Sequence, residues 1–199
     1  MRKLFKITLC ALGLVLATAG TASAQSGALK TNLLYAGYTQ TPNLALELGL
    51  GAKSSLDLSF GYNPWNLNGD YGDNKKWVHL YIQPEYRWWT CERFNGHFFG
   101  AHALFTHFNV SEIGMSHFGG KLFEKDYRYE GYGYGAGISY GYHWVWSKRW
   151  AMEFQVGVGA AWLDYDKLEC DKCGGQQDHE SKWYFGPTKA SISLVFHLW

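Results

Sequence analysis

Apolar and polar residues alternate with a period of two along most of this chain. Leu44, Leu46, Leu48 and Leu50 alternate with Ala45, Glu47 and Gly49. Leu56, Leu58, Phe60 and Tyr62 alternate with Asp57, Ser59 and Gly61. Val78, Leu80, Ile82, Tyr86 and Trp88 alternate with His79, Tyr81, Gln83, Glu85 and Arg87. The same rhythm runs from Tyr132 to Trp144, from Trp150 to Trp162, and from Ile192 to Leu198. Alternation sustained this far predicts strands with one apolar face. Two more strands are expected, Leu29–Gly37 and His97–Val110. The second mixes apolar and polar residues in both phases, so its faces stay unassigned.

Eight strands is an even number, and the connections alternate in length. Gly51–Leu56, Thr90–Asn95 and Ser147–Arg149 are short. Asn63–Lys76, Val110–Arg128 and Asp164–Lys182 are long, with Tyr38–Pro42 the short exception on that side. This predicts an all-β fold: an antiparallel, up-and-down, eight-stranded transmembrane β-barrel with short periplasmic turns and longer outer loops.

A sheet with one apolar face also suits half of a soluble sandwich. Two features favour the barrel. Trp77, Trp88, Trp144, Trp150, Trp162 and Trp183 fall near strand ends, as an aromatic girdle at a headgroup boundary requires. The other face carries glycine and charge: Lys30, Glu47, Asp57, Glu85, Arg87, Glu153 and Lys189. A sandwich core has no place for these, whereas a narrow barrel interior lets acids and bases pair. In hydrocarbon an open sheet edge would leave backbone groups unpaired, so the ring must close.

Composition agrees. Aromatics are 18% of the 199 residues, with 24 glycines and only 4 prolines, a profile of strands rather than of a helical core. A formal net charge of +1 gives no electrostatic reason to expect nucleic acid. At the start, Met1–Lys6 is basic, Ile7–Ala19 is apolar but shorter than the ~20 residues a spanning helix needs, and Ala22-Ser23-Ala24 is a cleavage pattern. Residues 1–24 are therefore expected to be a signal peptide and residues 25–199 the barrel domain, exported to the outer membrane.

Candidate chemistry is sparse. Cys170 and Cys173 lie in an expected outer loop with Asp171, Asp178 and His179 nearby. A loop disulfide is the expected state in an oxidising compartment, with zinc held by Cys170, Cys173, His179 and one acid as the alternative. Cys91 falls at the opposite end of the barrel, too far away to pair with either. His97, His102, His107 and His117 follow one strand and its loop, and read as ordinary hydrogen-bonded histidines or, alternatively, as metal ligands. Ser116 beside His117, and Ser181 near His179 and Glu180, superficially fit a nucleophile beside a base. Trp65 and Tyr71 sit in a Gly/Asn/Asp-rich loop that suits solvent or a glycan or protein contact.

Lys30-Thr31-Asn32-Leu33-Leu34-Tyr35, Thr41-Pro42-Asn43-Leu44-Ala45-Leu46-Glu47, Tyr62-Asn63-Pro64-Trp65, the stretch Gln83–Cys91 and the stretch Phe94–Gly100 resemble an uncharacterised outer-membrane barrel family of Bacteroidetes. That family is a domain of unknown function, often encoded beside fimbrillin-type pilus genes. The resemblance implies fold and location, hints at fimbrial biology, and supplies no catalytic residues. One departure is that Trp199 stands one step off the outward phase of Ile192, Leu194, Phe196 and Leu198.

The expectation is thus a monomer with a filled interior, in contact with membrane lipid and meeting a surface or fimbrial protein through its outer loops. No cofactor is expected. The alternatives are a membrane-embedded lipid-modifying enzyme and a narrow channel.

Overall fold

A computed structural model describes residues 27–65, 77–111, 115–117, 120–123, 127–168 and 176–198. The described residues are all-β apart from one short helix. Its strands are β1 (Gly27–Asn32), β2 (Asn43–Gly49), β3 (Ser54–Asn63), β4 (Trp77–Trp89), β5 (Gly96–Ser111), β6 (Met115–His117), β7 (Gly120–Phe123), β8 (Arg128–Val145), β9 (Trp150–Leu168) and β10 (Gln176–His197). β6 and β7 pair only with each other. The other eight form one antiparallel, up-and-down sheet whose last strand pairs with its first, Ala28 opposite His197 and Asn32 opposite Ser193. The sheet is therefore a closed ring without a free edge. Among the described residues no helix is long and apolar enough to cross a membrane.

Three sequence expectations are corrected. Leu29–Gly37 is not one strand, because β1 ends at Asn32 and Leu33–Tyr38 forms helix α1. The Asn32 side chain accepts from Leu34 N, supplying the N-cap that starts the helix. Asp164–Lys182 is mostly not loop. β9 and β10 remain paired as far as Leu168 and Gln176, so backbone pairing outlasts the apolar pattern. Trp77 is not in the outward girdle. It shares the inward phase of Tyr81, Gln83, Glu85, Arg87 and Trp89 on β4, and its indole nitrogen is buried.

β5 now has faces: Phe98, His102 and Phe108 are buried inside, while Phe99 and Phe105 are exposed outside. A register shift between Pro187 and Lys189 inserts a bulge in β10. It exchanges the phases, so Trp183 and Phe185 point out before it, while after it Lys189, Ser191, Ser193 and Val195 are buried.

The interior has three layers. Near the short turns, Ala28, Trp89, Phe94, Phe98, Ala151 and Val195 form an apolar cluster. A charged layer follows. Towards the long connections, Phe108, Val110, Tyr129, Ala161, Leu163 and Tyr165 form a second apolar cluster. Helix α1 covers the charged layer from that side, with the Tyr35 ring meeting Tyr81 edge-on at 5.4 Å.

Candidate functional site

The charged layer draws its charges from six strands of the ring, β1–β4, β9 and β10, while β8 adds Ser139 and His143. Lys30 Nζ lies 2.6 Å from Glu47 Oε2, 3.3 Å from Glu153 Oε1, and is also paired with Asp57. Arg87 is the hub. Its Nε donates to Glu85 Oε1 at 2.7 Å, Nη1 to Glu47 Oε2 at 2.8 Å and Glu153 Oε2 at 3.0 Å, and Nη2 to Gln155 Oε1 at 3.0 Å. Lys189 Nζ completes the set at 2.7 Å from Glu85 Oε2. Every one of these charged side chains is at most 6% exposed.

Such burial is tolerable only because the charges are paired and hydrogen-bonded, since an isolated ion would desolvate at a cost of several kcal/mol. Three cations face four carboxylates, one negative charge in excess. The neutral frame includes Gln155 Nε2, which donates to Glu85 and Ser139, Ser55 bound to Glu47, and Ser59 Oγ, which donates to Asp57. His143 Nδ1 lies 3.2 Å from Glu153 Oε2, and its other nitrogen lies 3.3 Å from His197. Gln155, Ser139 and Ser55 carry no charge, so charge patterning could not find them; the inward phase was the only available signal.

The layer has little spare room. A Cβ on Gly100 would fall 2.4 Å from Ser139 Oγ and 2.6 Å from Glu85. The cavity between the layer and α1 is about 30 Å³, one water molecule's worth.

The outside of the ring contrasts completely. Between Trp150 and Trp162, β9 presents Met152, Phe154, Val156, Val158 and Ala160. β8 presents Ala136, Ile138, Tyr140 and Tyr142, and β10 presents Pro187, Ala190, Ile192 and Leu194, all without charge. Two aromatic rows bound this band. Trp88, Trp144 and Trp150 are exposed beside the short turns, with Trp150 stacked edge-on against Phe196 at 5.0 Å. Trp162 and Trp183 meet edge-on at 5.1 Å at the far side. From Trp150 to Trp162 is roughly 40 Å along the strand at ~3.3 Å per residue, or about 30 Å of height at a tilt of ~40°.

The remaining candidates disperse. β5 sends His97 and His107 outward, against Tyr140 and Tyr132, and His102 inward, where Nε2 meets Thr188 Oγ1 at 2.8 Å, so these three share no face. Among the described residues no group of histidine, cysteine and acid side chains could hold a metal. His179, exposed on the far end of β10, sits between Asp164 and Asp166, each 2.9 Å from one ring nitrogen. The hydrogen bond that His179 donates to Asp166, then the charge of Asp164, hold its pKa above the usual imidazole range. With both nitrogens engaged, His179 is not placed to act as a base for Ser181. Glu180 pairs with Lys182 at 2.6 Å and accepts from the Tyr165 hydroxyl at 3.2 Å. Ser116 and His117 fall in β6. Cys91 is a free, exposed thiol by a short turn. Residues 1–24, Tyr71, Cys170, Cys173 and Trp199 lie outside the described residues.

The model of a family described as protein of unknown function (DUF3575) matches residues 10–198 of the chain. No curated protein and no solved structure gives a significant match.

Proposed function

The chain belongs to the DUF3575 family, and we propose that it is a small outer-membrane β-barrel with a filled lumen, serving a structural or interaction role at the cell surface. The observation that carries this reading is the uncharged outward band, about 30 Å tall between its tryptophan rows, around an interior that holds every charge at that height. Large apolar side chains such as Val156 at 65% exposure and Ile138 at 67% are costly in water and favoured in lipid. A hydrocarbon core of ~30 Å matches the band in height.

In this reading residues 1–24 direct export and are removed, and the short turns face the periplasm. The β8–β10 ladder beyond Trp162 and Trp183 stands outside the bilayer. There Asp164, Asp166, His179, Glu180 and Lys182 replace the apolar alternation, as solvent on both faces requires. This ladder and the long connections form the platform that meets a surface or fimbrial partner. The closed ring has no edge on which a second copy could pair, which favours a monomer. The packed charged layer favours a plug over a diffusive channel.

Envelope fractionation with heat-modifiable gel migration tests the reading. The expected result is a detergent-requiring protein in the outer-membrane fraction that migrates faster unheated than boiled. A protein that stays in solution without detergent would overturn it.

A further inference from the structure

The three short turns of the ring differ in what they expose. In the β2–β3 turn, Lys53 Nζ donates to Thr90 O at 3.2 Å. In the β4–β5 turn, Arg93 Nη1 donates to Gly51 O at 2.9 Å, and its guanidinium lies over the Phe94 ring, 5.8 Å from the centroid. Glu92, the one acid in these turns, accepts from Asn95 Nδ2 at 2.9 Å. Lys53 and Arg93 thus tie the first two turns to each other.

The β8–β9 turn is built otherwise. Every residue from Trp144 to Trp150 is exposed. Val145 opposite Ala151 is the last rung, and Trp146 N and Ser147 N both donate to Trp150 O, at 3.3 and 3.1 Å, which closes a tight tip. Trp144, Trp146 and Trp150 are 41–52% exposed, and Val145 stands out on the other face of the hairpin. Lys148 and Arg149 cap the tip, and neither side chain has a hydrogen-bond or ion-pair partner among the described residues.

Exposed indoles on a tight turn are costly in water. At a headgroup boundary they are favoured, because the ring lies among acyl chains while the N–H reaches polar groups. Cations placed directly beyond those indoles then stand at the depth of the lipid phosphates. The signs of charge agree. At this end the turns carry Lys53, Arg93, Lys148 and Arg149 against Glu92 alone. At the far end of β8–β10, Arg128, Lys167 and Lys182 are outnumbered by Glu130, Asp164, Asp166 and Glu180. Only the short-turn rim attracts anions.

We propose that the β8–β9 tip is a docking surface for the headgroup of an anionic phospholipid in the leaflet that meets the short turns. Lys148 and Arg149 neutralise the headgroup, and the Arg149 guanidinium can take two phosphate oxygens at once. Trp144, Trp146 and Trp150 hold the glycerol region and the upper acyl chains. A zwitterionic head carries its own cation beside the phosphate, so the tip selects for net negative charge. The inference rests on the membrane reading above and adds the class of lipid. An acidic soluble protein is the rival occupant; it accounts for the two cations but not for three indoles that continue the apolar band.

The test places the mature chain in phosphatidylcholine vesicles with a minor share of phosphatidylglycerol, with bromine on the acyl chains of one lipid at a time. Brominated chains quench nearby tryptophans, and the part of the quenching that Trp146→Phe removes belongs to the tip. Phosphatidylglycerol should quench that part beyond its share of the bilayer, by roughly fivefold for each cation at low salt. Lys148→Gln with Arg149→Gln should bring the preference down to the bulk share, as should high salt. Lys53→Gln should leave it in place. Heat-modifiable migration checks that each variant is folded. A preference that survives the double variant, or that Lys53→Gln lowers as far, would overturn the tip as the site. Quenching by both lipids in proportion to their shares would also overturn it and leave the cations to an acidic partner in solution. Absence of quenching by either brominated lipid would instead overturn the membrane reading itself.

Discussion

Arg87→Met removes the hub of the buried layer without removing volume. Arg87 alone reaches Glu47, Glu85 and Glu153 within 3.0 Å and holds Gln155 through its remaining nitrogen. Without it two cations, Lys30 and Lys189, face four carboxylates in a space with room for about one water. Breaking a buried ion pair by deleting one partner costs about 3–5 kcal/mol, because the other charge is left desolvated. Methionine restores packing but not charge, so a loss in that range is expected. Glu47→Gln added to Arg87→Met restores the original excess of one negative charge and should recover at least about 1 kcal/mol. Arg87→Lys keeps the charge but cannot span four acceptors from one nitrogen, and should fall between. The assay is reversible urea unfolding in phospholipid vesicles, followed by tryptophan fluorescence and by the folded band on unheated gels. A loss below about 1 kcal/mol for Arg87→Met, or no recovery in the double variant, would refute the reasoning, since it would mean water replaces the guanidinium at no cost.

Three further outcomes follow from the same structure. His179 has a raised pKa in the folded chain, so its contribution to the outer ladder is complete below its unfolded value near ~6.5 and is lost as pH rises through the higher folded value; hydrogen exchange at Asp164–Asp166 should quicken across that window, and His179→Gln should flatten the dependence. Gly159→Ala would set a Cβ 2.2 Å from Ala136 O, a backbone atom that cannot swing away, and should cost about 1–3 kcal/mol in the same unfolding assay, while Gly37→Ala in α1 meets nothing within 4 Å and should cost none. Cys91, exposed by a short turn, should react with a membrane-impermeant maleimide only after the outer membrane is permeabilised, in a chain carrying Cys170→Ser and Cys173→Ser; labelling on intact cells would invert the orientation.

The parts of the fold legible in the sequence are those where one face of a strand meets a single kind of surroundings. Val156 and Val158 against Gln155 and Gly157 reveal β9 because every outward position in the band is apolar. The charged layer was legible for the same reason, since Lys30, Glu47, Asp57, Glu85, Arg87, Glu153 and Lys189 all stand in the inward phase, and the structure brings these seven together. The outer halves of β9 and β10 were not legible. Asp164, Asp166, His179 and Glu180 are accessible or only half-buried on both faces, so hydrogen bonding continues where alternation has stopped. Trp77 lies at a strand end like the girdle tryptophans, but its phase on β4 is inward. Leu33-Leu34-Tyr35 looks like strand, and only the Asn32 cap turns it into helix. The bulge at Pro187–Lys189 joins two apolar phases that no single alternation could connect.

The central claim is that lipid surrounds the band, and Val156→Arg tests it most directly. Val156 is 65% exposed, midway between Trp150 and Trp162, and opposite Tyr140 and Ala190 on the neighbouring strands. In water an arginine there would change stability by no more than about 0.5 kcal/mol. At a bilayer midplane it should cost about 2–4 kcal/mol, falling to about 0–1 for Trp144→Arg at the rim. Unfolding of the two variants in vesicles should show that depth dependence. Equal, negligible losses at both positions would contradict the account.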